Sequence, residues 1–234
     1  MRSRLAWTVA AALTVSLSSA DTAFAQQTFN ISLGYLAVRG EDARVDGDAL
    51  VINRDLLLFD FRDFNTVSLG AEWLLPLGDY VEAGGGIGFS NRTVDTIYAD
   101  FTRPSGAEIE QQLKLRIVPI AATVRVLPLG RRNSFQPYVG GGIGIYNWRY
   151  AETGDFVDMT LPGLPVFRDS YVATGTSVGP VAVFGARFVV GSNMSIGGEV
   201  RYQKAEGDLD TTDFLGPKID LAGFHYSATF GIRF

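Results

Sequence analysis

The chain concentrates its most reactive side-chain types in a few places. His225-Tyr226-Ser227 sets an imidazole and a hydroxyl two residues apart. On an extended strand those two side chains share a face, as a nucleophile and its general base must. A second candidate is a set of charged residues standing alone among apolar neighbours: Glu72, Glu82, Lys114, Arg116, Arg125, Arg187, Glu199 and Arg201. Buried together with His225, these would form either an ion-paired plug or a path for ions and protons. "EGDLDTTD" (206–213) has some features of a calcium loop but lacks its spacing and terminal Glu. The glycine runs "AGGGIGFSN" (83–91) and "VGGGIGIYN" (139–147) are near copies, and no helix pattern follows either, so a phosphate loop is not expected. Cysteine is absent and His225 is the single histidine, which excludes disulfides, thiolate chemistry and a multi-histidine metal site within one chain.

The elements that carry these residues have a period of two. In "FHYSATFGIRF" the apolar positions are Phe224, Tyr226, Ala228, Phe230, Ile232 and Phe234. Similar alternation runs through Phe29–Tyr35, Val67–Leu75, Val81–Phe89, Leu113–Val126, Val139–Ile145, Ala182–Phe188 and Met194–Tyr202. Eight strands result. Within Leu113–Val126 the outward apolar set reads Leu113, Leu115, Ile117, then Ile120, Ala122, Val124, so the phase slips and a bulge is expected near Val118-Pro119. The apolar faces carry no charge, and the charged candidates fall on the opposite faces.

Connections alternate between short and long, the long ones covering about 38–63, 90–111, 148–176 and 203–219. A soluble sandwich has no cause to sort loops by end. A transmembrane barrel does, and it also turns its apolar faces to lipid and its polar faces to a lumen. The expected fold is therefore all-β: an eight-stranded antiparallel transmembrane β-barrel with four short periplasmic turns or ends and four long extracellular loops. The lumen of so narrow a barrel is filled by side chains, and the glycines at 84, 86, 88, 140, 142 and 144 leave room for them.

At the other end, "MRSRLAWTVAAALTVSLSSADTAFA" combines Arg2 and Arg4, a short uncharged stretch and an Ala-Phe-Ala site, as a cleaved signal peptide does. Residues 1–25 are assigned to that signal and 26–234 to the barrel domain, in the cell outer membrane.

A terminal Phe preceded by apolar residues at alternate positions resembles the C-terminal signal of bacterial outer-membrane barrels. With eight strands and no second domain, the chain is similar to the small group comprising OmpX, the OmpA transmembrane domain, OmpW and the opacity proteins. The resemblance implies that Phe224, Tyr226, Phe230, Ile232 and Phe234 form the signal read by the barrel-assembly machinery. His225-x-Ser227 also resembles an element of the outer-membrane lipid A 3-O-deacylases. There a Glu downstream orients the His; here none of the residues after Ser227 is acidic, and the pair faces the lumen rather than lipid.

The long connections are acidic, with about two acidic residues for each basic one. That argues against nucleic acid and suits a surface among lipopolysaccharide. Tyr35, Trp73, Tyr80, Tyr138, Trp148, Tyr202 and Tyr226 bracket the strands as an aromatic girdle would. Tyr146, Trp148 and Tyr150 form the alternative of a sugar-binding platform. The expected function is that of a structural or surface protein, in adhesion or membrane integrity, without a cofactor and not an enzyme. Its partners are lipid and lipopolysaccharide, the assembly machinery, and a host or surface ligand on the loops. The alternatives are a narrow pore for small or apolar solutes and, third, a lipid-modifying enzyme using His225 and Ser227.

Overall fold

A computed structural model describes residues 26–234; the signal-peptide assignment falls outside them. Eight strands make the wall: β1 (Thr28–Val38), β2 (Thr66–Pro76), β3 (Val81–Thr102), β4 (Glu108–Val126), β5 (Phe135–Val157), β6 (Val166–Val190), β7 (Met194–Gln203) and β8 (Gly223–Arg233). Each pairs antiparallel with its neighbours in sequence, and β1 pairs with β8 to close the ring. Closure leaves no unpaired edge, which a spanning sheet requires. Beyond the last rung, Gln27 and Phe234 exchange two backbone hydrogen bonds, of 2.8 and 3.0 Å.

Strand length as well as loop length distinguishes the two ends. β3 and β4 have 22 and 19 residues and are joined by 103–107; β5 and β6 have 23 and 25 and are joined by 158–165. Two of the four long connections expected from sequence are thus tall β-hairpins. The other two remain long: 39–65 holds a short helix, α1 (Ala49–Arg54), and 204–222 holds a small hairpin of Glu206–Asp208 against Lys218–Asp220. At the opposite end, 77–80, 127–134 and 191–193 are tight turns.

The barrel changes polarity along its height. In the half nearest the chain ends, the outer face is apolar: Phe184 is 65% exposed and Ile196 51%, beside Leu69, Ile87, Val124, Ile143 and Phe230. Inside that half lie Glu72, Glu82, Arg125, Arg187 and Glu199, all buried. In the other half the pattern inverts. Asn91, Asp95, Arg116, Asn147 and Thr176 are exposed, while Val94, Tyr98, Leu113, Leu115, Ile117, Tyr146, Trp148 and Tyr150 are buried. Helix α1 drops Leu50 into this upper interior with Phe61, Phe64, Phe214 and Ile219, forming a hydrophobic cap. The lower half obeys the rules of lipid and the upper half those of water.

The structure corrects four expectations. No bulge sits at Val118-Pro119: β4 keeps one register against β3 from Val81↔Val126 to Ile97↔Glu110, and against β5 throughout. Pro119 points inward against Gly88, and the ladder resumes unshifted at Ser90↔Ile117. The irregularity in the β3–β4 pair lies higher, between Ile97 and Thr102. Leu113, Leu115 and Ile117 therefore face in. Lys114 and Arg116 face out and are not lumen residues, because that stretch stands above the hydrocarbon. Likewise Tyr138 and Trp148 leave the girdle for the interior, and Tyr146, Trp148 and Tyr150 are buried beyond the reach of a sugar. Tyr35, Trp73, Tyr80 and Tyr226 remain exposed on the outside.

Close strand approach depends on glycine at particular places. A Cβ on Gly142 would lie 1.9 Å from the Ala122 carbonyl oxygen, so no side chain fits without moving backbone.

Candidate functional site

The charged lumen residues form two layers. In the middle layer Glu72 from β2, Arg125 from β4, and Glu199 and Arg201 from β7 make a closed ring. Arg125 binds Glu72 and reaches Glu199 at 2.9 Å; Arg201 lies 2.9 Å from Glu199 and 3.3 Å from Glu72. Tyr138 donates to Glu199 at 2.9 Å, and the Arg125 guanidinium stacks over the Tyr138 ring at 4.7 Å. The inward glycines make the ring possible. A Cβ on Gly84 would meet Glu72 Oε1 and Thr123 Oγ1 at 2.8 Å.

In the lower layer Glu82 takes Arg187 at 2.5 Å and Arg131 at 3.0 Å, while Arg187 Nε donates to Gln136 Oε1 at 2.7 Å. Arg131 was not a candidate from sequence, because it stands in a turn rather than at an alternating strand position. Tyr138 and Gln136 were also missed as lumen groups. Their even-numbered places on β5, in phase with Gly140 and Gly142, are the signal that could have found them.

Above the ring, His225 faces inward with Nε2 at 3.0 Å from Gln203 Oε1 and Nδ1 at 3.5 Å from Ser68 Oγ. Ser227 Oγ donates to the Glu199 carbonyl at 3.4 Å. Imidazole and hydroxyl therefore engage different partners, and the Glu199 carboxylate is held by arginines instead of orienting the ring. A cavity of about 60 Å³ lies between these groups, room for a few waters. Of the nine residues expected to share one network, Glu72, Arg125, Glu199 and Arg201 meet; Glu82 and Arg187 form the layer below; His225 lies above; Lys114 and Arg116 lie outside.

Phe224, Tyr226, Phe230, Ile232 and Phe234 are all exposed on the outer surface at β8. Phe234 packs edge-on against Trp73, with ring centroids 5.5 Å apart, and Trp73 Nε1 donates to Gln27 Oε1 at 2.9 Å. The acidic stretch 206–213 folds into its own hairpin: Lys218 Nζ donates to Glu206 at 2.7 Å, and Asp210 accepts from the Thr212 amide at 2.9 Å. Both interactions are ones that a metal would displace.

A closed ring of eight antiparallel strands, apolar outside and ion-paired inside, is the geometry of a bacterial outer-membrane barrel. The family model described as "Outer membrane protein beta-barrel domain" matches residues 7–216. The chain belongs to that family. Among solved structures of the outer-membrane barrel class, OprG from Pseudomonas aeruginosa is similar at 13% identity and a TM-score of 0.50, over 90% of this chain and 96% of that one. Neisserial surface protein A matches at 12% identity and a TM-score of 0.46, over 90% and 97%. Ail of Yersinia pestis matches at 11% and 0.45, over 90% and 99%. No curated protein matches in sequence. At such identities the likeness to OprG speaks for the fold of this outer-membrane barrel.

Proposed function

We propose that this outer-membrane barrel is a structural surface protein, matured by removal of residues 1–25, which anchors in lipid through its lower half and presents the two tall hairpins and the capped upper half outside the cell. One observation carries the reading. The interior is filled at three levels, by the Glu82–Arg187 layer, the Glu72–Arg125–Glu199–Arg201 ring and the hydrophobic cap around Leu50. A solute or ion crossing the barrel would have to displace all three. The outer face of β8 serves as the signal read by the assembly machinery, and the lumen charges serve to hold the wall rather than to conduct.

Lipopolysaccharide is the proposed neighbour. Just above the apolar belt, Arg116 and Arg149 face each other across the β4–β5 ladder, with Lys114 beside them. Like charges directly opposite destabilise a sheet unless an anion lies between them. Phosphate-bearing head groups at that height supply it. The acidic connections further out suit adhesion to a partner that is not polyanionic.

The test is ion conductance of the refolded mature protein in a planar bilayer, with folding established by the gel shift between heated and unheated samples. Silence with folded protein is the expected result. Discrete current steps that change when Arg187 or Arg201 is neutralised would overturn the reading in favour of a pore.

A further inference from the structure

The upper half holds a second cavity, of about 420 Å³, walled by β3 to β6 and by the 39–65, 158–165 and 204–222 connections. Its size is that of a small-molecule site, and such sites combine apolar walls with a few convergent polar groups. The walls are aromatic. Phe156 stands perpendicular to Tyr171, with centroids 5.0 Å apart, and nearly parallel to Phe167 at 5.9 Å; Tyr98 and Phe214 complete the box.

At its base sits Glu152, 4% exposed. Its Oε1 accepts from Asn53 Nδ2 at 2.6 Å and from Tyr150 Oη at 2.8 Å. Its Oε2 has no hydrogen-bond partner among the described residues. Beside it Gln111, 3% exposed, also leaves its side-chain amide without a partner there. Neither group is sealed in the wall; both open to the cavity, where water or a bound ligand completes their hydrogen bonds. Asp158 and Asp213 add negative charge toward the rim, and no lysine or arginine lines the cavity.

We propose that this cavity binds a small organic cation: an ammonium group on an aromatic or short aliphatic body. The ammonium donates to Glu152 Oε2 and the Gln111 carbonyl, and the body lies within the aromatic box, where ring faces attract positive charge. An anion would meet three carboxylates and no cation. A neutral apolar molecule would leave Oε2 and the amide unsatisfied. The site is distinct from the plugged lumen, since no residue of the two charged layers lines it.

The experiment is calorimetric titration of the mature protein, refolded in a non-ionic glucoside detergent, with 2-phenylethylammonium and its neutral analogue 2-phenylethanol. The ammonium should bind more tightly than the alcohol. Glu152→Gln keeps the shape and the Asn53 and Tyr150 contacts, and should weaken the ammonium by about tenfold or more while leaving the alcohol unchanged, the loss expected for a charged hydrogen bond. Phe156→Ala should weaken both. The heated and unheated gel bands show that each variant is folded. Equal binding of ammonium and alcohol, an unchanged ammonium affinity in folded Glu152→Gln, or no heat from either probe at millimolar concentration would each overturn the proposal.

Discussion

Replacing Arg125 by Met should reveal how much the middle ring contributes to the barrel. Arg125 is fully buried and holds both Glu72 and Glu199, so its removal leaves two carboxylates facing each other with Arg201 as their shared cation. Breaking a buried pair costs about 3–5 kcal/mol. Because Arg201 still reaches both acids, at 2.9 and 3.3 Å, the cost should fall near the lower end, about 3 kcal/mol. Arg201→Met should cost less, since its side chain is 22% exposed and water can replace part of what is lost. Arg125 Nε and Nη1 are themselves buried without partners among the described residues, so the native ring does not recover all of its desolvation cost. The quadruple variant Glu72→Gln, Arg125→Met, Glu199→Gln, Arg201→Met, which leaves no unpaired charge in the ring, should therefore regain most of the stability that the single change loses. The assay is urea unfolding in detergent micelles, followed by tryptophan fluorescence and by the heated and unheated gel bands. A slope of about 1–3 kcal/mol per molar urea turns 3 kcal/mol into a midpoint shift of about 1–3 M. A loss below about 1 kcal/mol for Arg125→Met, the value of an exposed pair, would refute the account of the ring as a buried structural network.

Other perturbations read the remaining levels. Phe184→Arg, on the lipid side, should destabilise insertion into vesicles by about 2–4 kcal/mol, whereas Val172→Arg, on the same face of β6 above the belt and opposite Ala151, should be close to neutral; equal effects would contradict the polarity inversion. Gly142→Ala should slow refolding and lower the urea midpoint, because its Cβ would collide with the Ala122 carbonyl. Burial raises the Glu152 carboxyl above the usual range, opposed by its bonds to Tyr150 and Asn53. The folded state thus holds that proton more tightly than the unfolded chain. Its contribution is complete below the ordinary Glu value and is lost as pH rises through the raised one. Glu152→Gln should accordingly be more stable than the parent at pH 8 and similar to it at pH 4, as read by hydrogen exchange of the upper strands; a parallel pH response in both proteins would count against the buried carboxyl.

The lower half of the barrel was legible in the sequence because only one assumption was needed there: apolar side chains face lipid. Val67–Leu75, Val139–Ile145, Ala182–Phe188 and Phe224–Phe234 obey it, and the inward places of Arg125, Glu199 and His225 follow. The upper half was misread for a physical reason. A strand leaving the hydrocarbon keeps its geometry but changes its solvent, so the same period of two continues with its sense reversed. Leu113, Leu115 and Ile117 then look like a slip of register, and residues 90–102 and 148–157 look like loop. The reversed signal was present in Tyr146, Trp148 and Tyr150 alternating with Asn147 and Arg149. The cavity around Glu152 had no such signal, since it joins Asn53, Gln111, Glu152 and Phe214 from four separate segments.

The inversion of polarity also fixes a waterline on the molecule. Sinking the barrel by two residues along its strands, about 6–7 Å of chain, would draw Asn91, Lys114, Arg116 and Arg149 into hydrocarbon. Raising it by as much would lift Phe89, Ile120 and Ile145 into water. Both displacements are uphill, so the barrel rides at one depth and holds its upper half at a set height above the lipid. A membrane thicker or thinner than the belt must deform to meet it.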